Sequence, residues 1–174
     1  MSYIVDTIGP EGFGTYEVDW DTSPPTLTRV SAPPQGLLAP GFVDIHIHGA
    51  FGIDFMSATQ QELLLLCDKL EEVGYEMFLP TTVTTSPEQA QQAINNLPDH
   101  PMVGGFHLEG PFISPKHPGA QPEESIAEIP TDISPWDPIL ADSRMKVITL
   151  APELPNALGF IAKLRKQGVV ISMG

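Results

Sequence analysis

Two of the five histidines stand one residue apart in GFVDIHIHGAFG, residues 41–52, inside a run of valine, isoleucine and phenylalanine. A buried imidazole pair is costly unless something binds it. Strand side chains alternate, so His46 and His48 are expected on one face together with Asp44. Val43, Ile45 and Ile47 are then expected on the other face, against helices. Two imidazoles side by side can ligate one metal ion, and imidazole suits Zn, Fe, Ni and Cu. The competing reading is a pair of core histidines satisfied by hydrogen bonds. Their place at the end of an apolar strand, just before Gly49, favours the metal.

GFHLEGPF, residues 105–112, adds His107 and Glu109 on one face of a strand, with Phe106 and Leu108 on the other. A carboxylate at a strand end beside imidazoles serves as metal ligand or general base. Alone it could equally be a surface acid or helix cap; with His46 and His48 in the same chain, ligation is the better reading. His107 is expected behind the ligands, orienting one of them or forming the site wall. SPKHPGAQP, residues 114–122, is a polar loop beyond that strand end, where Ala120 and the Gln121 amide can read a polar ligand. As an isolated pattern it is an ordinary solvent loop. His100 and His117 have no pattern around them and are expected at the surface. The hydroxyls of PTTVTTS, residues 80–86, belong to β-branched residues that favour strands in any case. Cys67, in ELLLLCDKL, is expected to pack in the core of a helix. No phosphate-cradling glycine loop or serine-nucleophile motif is present.

The elements that must position these groups fall into two stretches. Residues 1–40 hold short β-like runs, SYIVDTI, GTYEVDW and LTRV, broken by Gly- and Pro-rich turns. From residue 42 strands and helices alternate. The strand with the histidines leads to a helix with Ser57 as candidate N-cap, Gln60 three residues on and Gly74 as stop. YEMFLPTTVTT precedes a helix capped by Ser86 with Pro87 at its first position. MVGGFHLEG, MKVITLAPE and VVISMG are further strands. A long Pro-rich excursion, a short helix in DPILADSR and the helix NALGFIAKLRKQG lie between them. Such alternation predicts a parallel α/β sheet, either doubly wound or a (β/α)8 barrel. The unusual polar residues cluster at strand ends, which suits the barrel.

The 41% hydrophobic content suits a folded core. No apolar stretch nears the ~18–20 residues that cross a bilayer. The start of the chain lacks a secretory pattern. One cysteine precludes an internal disulfide and fits a reducing, cytoplasmic setting. A net charge of −14, from 22 acids and 8 bases, argues against nucleic acid and anionic membranes as partners.

APGFVDIHIHGAFGIDFM, PTTVTTS, GFHLEGPFISPKHPGAQP and VITLAPE, in this order, resemble the N-acetylglucosamine-6-phosphate deacetylase family of the amidohydrolase superfamily. His-x-His is common to the superfamily; HLEGPF followed by GAQ and LAPE is more specific to the family. The resemblance implies a (β/α)8 TIM-type barrel, here truncated after about five strands. Residues 1–40 would be the N-terminal part of a small β-sandwich domain and residues 41–174 the first five β/α units. It implies metal-dependent hydrolysis of the acetamide of N-acetylglucosamine 6-phosphate to glucosamine 6-phosphate and acetate. It implies a divalent metal, foremost Zn or Fe, as one or two ions, with Glu109, His46 and His48 as ligands. Ala120 and Gln121 fall where the family contacts the sugar. The complete enzyme would be a homodimer. In the family the fifth strand runs into a Gly-His motif bearing a further ligand, so that ligand and the general acid/base are expected beyond residue 174. The chain alone is then expected to be inactive. The alternatives are another amidohydrolase, a cyclic amidase or deaminase, and a metal-binding fragment without turnover.

Overall fold

Alternating residues of SYIVDTIG and GFGTYEVD pair into the first hairpin of the protein, whose structure, a computed structural model, describes residues 1–174. The chain divides into two units, Met1–Gly41 and Phe42–Gly174. In the first, strands β1 (Ser2–Gly9), β2 (Gly12–Asp19) and β3 (Thr26–Arg29) form one antiparallel sheet in the order β1-β2-β3. Tyr16 and Val18 are its buried residues on β2, and the Tyr16 hydroxyl donates to the Gly12 carbonyl at 2.9 Å.

The second unit begins with β4 (Phe42–Ile47) and a two-residue-strand hairpin, β5 (Gly49–Ala50) and β6 (Ile53–Asp54). There follow α1 (Gln60–Glu72), β7 (Tyr75–Pro80), α2 (Pro87–Asn95), β8 (Phe106–Glu109), α3 (Asp137–Leu140), β9 (Met145–Leu150), α4 (Ala157–Lys166) and β10 (Val170–Met173). Parallel ladders join β4 to β7, β8 to β9 and β9 to β10. Two parallel bridges, Phe78 with Val103 and Thr81 with His107, connect β7 to β8. Spatial order therefore follows chain order, β4-β7-β8-β9-β10. A doubly wound sheet would reverse direction at a switch point; the consecutive order is that of a barrel wall.

Helix α1 presents Leu63, Leu66, Cys67 and Leu70 to the core at helical spacing, and they share one apolar cluster with Phe78, Phe106, Leu108 and Ile148. Burial pushes the Cys67 thiol up to about 11, so it is an inert packing group. Gly74, with φ +91°, ends α1 as expected. Ser86 caps α2, accepting from the Gln89 N–H, with Pro87 in its first turn.

Two expectations fail. The cap of α1 is Thr59, not Ser57: its hydroxyl accepts from the Glu62 N–H, and the Glu62 carboxylate accepts from the Thr59 N–H. Val43 and Ile45 are 55% and 56% exposed rather than packed on helices. Their strand β4 pairs on one side only, with β7, and only Ile47 of the three joins the core. No helix is long and apolar enough to cross a membrane.

Candidate metal centre

The side chains of His46, His48 and Glu109 converge at the carboxyl ends of β4 and β8. His46 Nε2 lies 3.3 Å from His48 Nε2 and 3.2 Å from Glu109 Oε2, and His48 Nε2 lies 3.2 Å from the same oxygen. A zinc ion held at ~2.0–2.1 Å with tetrahedral angles sets its ligand atoms about 3.3–3.4 Å apart. The observed triangle matches three corners of that tetrahedron. The Glu109 side chain is 15% exposed and those of His46 and His48 are 44% and 42% exposed, so the fourth corner faces outward.

Protonation sharpens the point. His48 Nδ1 faces the Thr81 carbonyl at 3.1 Å, and only a protonated nitrogen can donate there. A neutral His48 thus turns the lone pair of Nε2 toward Glu109 Oε2 and His46 Nε2. Three electron-rich atoms at such distances repel unless a cation lies among them. A proton on His46 can bridge one edge of the triangle; a metal ion satisfies all three groups. The residues present fit a divalent ion.

His107 lies behind this triangle. Its Nδ1 donates to the Ile45 carbonyl at 2.9 Å and its Nε2 accepts from the Thr149 hydroxyl at 2.7 Å. Both ring nitrogens are spent, so it is not a ligand. Burial pushes its pKa below the ordinary imidazole value, and the ring stays neutral. It meets the His46 ring edge-on, centroids 4.7 Å apart. Asp44 does not join the triangle: its Oδ1 accepts the His46 N–H at 2.9 Å.

The loop beyond β8 is tied to the end of β7. Gln121 Oε1 accepts the Thr84 N–H at 2.8 Å, which leaves the side-chain NH2 as the group it can offer elsewhere. Ala120 is exposed at the loop's crown, and neither residue is bonded to the triangle. His100 Nδ1 accepts the Met102 N–H in the turn before β8. His117 makes a backbone turn to Ser114.

The sequence places Thr81 and Thr82 among the polar residues at strand ends but gives their hydroxyls no role, and it does not mark Thr149. The Thr82 hydroxyl accepts the Glu109 N–H at 3.1 Å, and Thr149 holds His107. Both look like ordinary strand residues; their one signal is position at the strand ends around His46, His48 and Glu109.

A parallel barrel wall with two imidazoles and a carboxylate at its carboxyl end defines a class of metal-binding α/β proteins. Residues 37–168 match the amidohydrolase family, and the chain belongs to it. Over 163 residues it is 37% identical to the N-acetylglucosamine-6-phosphate deacetylase of Bacillus subtilis, covering 86% of this chain and 40% of that protein. The Homo sapiens protein of the same name is 34% identical over 152 residues, covering 79% of this chain and 36% of that one. The chain thus spans about two fifths of the curated relatives it matches. A crystal structure of N-acetylglucosamine-6-phosphate deacetylase from Thermotoga maritima superposes with a TM-score of 0.80 at 30% identity, covering 99% of this chain and 47% of that one. The Mycobacterium smegmatis D267A mutant, solved in complex with N-acetyl-D-glucosamine-6-phosphate, gives 0.78 at 26%, covering 100% and 49%.

Proposed function

We propose that the chain supplies the first metal ligands and a substrate loop of an N-acetylglucosamine-6-phosphate deacetylase. The observation that carries this reading is the triangle of His46, His48 and Glu109, whose edges of 3.2 to 3.3 Å suit one tetrahedral ion. The relatives' names supply the substrate, an amino-sugar phosphate. A bound divalent ion, Zn or Fe, would supply an activated water at neutral pH and polarise the acetamide carbonyl. His46 and His48 would hold it through Nε2 and Glu109 through Oε2. His107 keeps the His46 ring from rotating away. Gln121 would offer its NH2 to a sugar oxygen, with Ala120 beside it. The leaving amine needs a proton, and every titratable group at the triangle is committed to ligation or to a neighbour. We assign that proton donor to the share of the relatives that this chain does not span, so the chain alone is inactive and the homodimeric full-length enzyme turns over.

One relative, from Escherichia coli O157:H7, is named N-acetylgalactosamine-6-phosphate deacetylase and is 33% identical over 159 residues. The 4-epimer is therefore the competing substrate. Titration of the chain with Zn2+ is expected to give one site, weakened at least roughly tenfold by Glu109→Gln. The chain extended to the length of its relatives is expected to release acetate from N-acetylglucosamine 6-phosphate faster than from the epimer. Unchanged Zn2+ affinity in Glu109→Gln would overturn the site. Failure to hydrolyse either sugar phosphate would overturn the substrate.

A further inference from the structure

The geometry points to Thr81 as a positioning residue for the metal-ligating pair, an inference that rests on the metal reading above. Thr81 is fully buried. It grips the two residues that end the ligand strand by three hydrogen bonds. Its N–H donates to the Ile47 carbonyl at 2.9 Å. Its hydroxyl accepts the Ile47 N–H at 3.0 Å. Its carbonyl accepts the His48 Nδ1–H at 3.1 Å. The hydroxyl's own proton goes to the Leu79 carbonyl at 3.0 Å, which fixes the rotamer.

The three bonds fall where the register of the two strands shifts. Asp44 pairs with Phe78, but Ile47 pairs with Pro80, so β4 spends three residues where β7 spends two. Such a bulge re-aims side chains at the price of a broken ladder. Pro80 has no N–H to offer. At this break the Ile47 N–H reaches the Thr81 hydroxyl, one residue past the end of β7. Ile47 lies between the two histidines, so the grip sets the separation and direction of both rings. The carbonyl of the same residue fixes which His48 nitrogen carries the proton, leaving Nε2 free. One residue therefore settles both the aim and the tautomer of the pair.

Thr81→Val keeps the shape and the carbonyl but removes the hydroxyl; Thr81→Ser keeps the hydroxyl. Zn2+ affinity, measured by competition with a chromogenic chelator, is expected to fall at least roughly tenfold in Thr81→Val, the usual effect of losing a group that orients a ligand. Thr81→Ser is expected to stay within about twofold of the parent. The Co2+ absorption spectrum of Thr81→Val is expected to lose tetrahedral intensity, which a general loss of stability would not produce in the folded fraction. Parental affinity and spectrum in Thr81→Val would overturn the inference while the metal reading stands. Equal weakening in both variants would also overturn it, since the hydroxyl would not then be the determinant. If the parent chain binds no Zn2+ at all, and Glu109→Gln is indistinguishable from it, the metal reading falls and this inference with it.

Discussion

His107 shows how much one buried polar residue is asked to do. It is 2% exposed, and a ring that deep needs partners for both nitrogens. It finds them on two different strands, the Ile45 carbonyl of β4 and the Thr149 hydroxyl of β9, while it belongs to β8. The arrangement staples three strands of the wall behind His46, His48 and Glu109. It also explains why a histidine beside Glu109 is not itself a ligand: the Ile45 carbonyl takes the proton of Nδ1, and Thr149 occupies the lone pair of Nε2. Thr149→Val would leave that lone pair buried without a donor. A loss of about 1–3 kcal/mol in unfolding free energy is expected, read from the urea midpoint, with Thr149→Ser close to the parent. An unshifted midpoint in Thr149→Val would mean that the contact contributes nothing.

At the scale of elements, Gly110 is the hinge on which the Glu109 strand ends. Its φ is +69°, and a Cβ placed there would meet Thr84 Oγ1 at 2.0 Å. Thr84 Oγ1 is buried without a hydrogen-bond partner, because glycine's bare Cα is what it packs against. Gly110→Ala is expected to cost about 2–4 kcal/mol, from left-handed strain and the clash together. Adding Thr84→Ala relieves the clash but not the strain, so the double variant is expected to recover only part of the loss; full recovery would refute the strain component. The turn GPF after Glu109 was legible in the sequence, as were the alternation of strands and helices, the Ser86 cap and the grouping of His46, His48 and Glu109. Each rests on residue type and local spacing. The rest depended on contacts the chain makes at a distance. Ser57 and Thr59 both stand three residues before a capping partner, and only the closing geometry chose Thr59 with Glu62. The bulge in β4 and the hydroxyls of Thr81, Thr82 and Thr149 belong to strand register, and a β-branched residue reads the same whether or not its hydroxyl is used.

For the whole molecule the decisive feature is a wall of five consecutive strands with two free margins. β4 pairs only with β7 and β10 only with β9. The flanking residues are apolar: Phe42, Val43 and Ile45 on β4 and Val170 and Met173 on β10 are all more than half exposed. An extended margin with open N–H and C=O groups and an apolar surface is a template for pairing with another chain. Covering a valine or isoleucine side chain contributes about 1.5–3 kcal/mol, and residues on both margins can act together. The net charge of −14 opposes this association, so it is expected to strengthen as salt screens the repulsion. Sedimentation velocity on the chain should therefore show self-association that grows with both protein concentration and NaCl. Val43→Lys with Ile45→Lys puts two charges on one margin and is expected to weaken that association by at least roughly tenfold, or about 1.4 kcal/mol. These positions project away from the triangle's face, since strand neighbours alternate, so Zn2+ affinity should be retained in the same variant. A chain that remains monomeric at high concentration and high salt would mean that its margins are protected by their own twist and bulge rather than awaiting a partner strand.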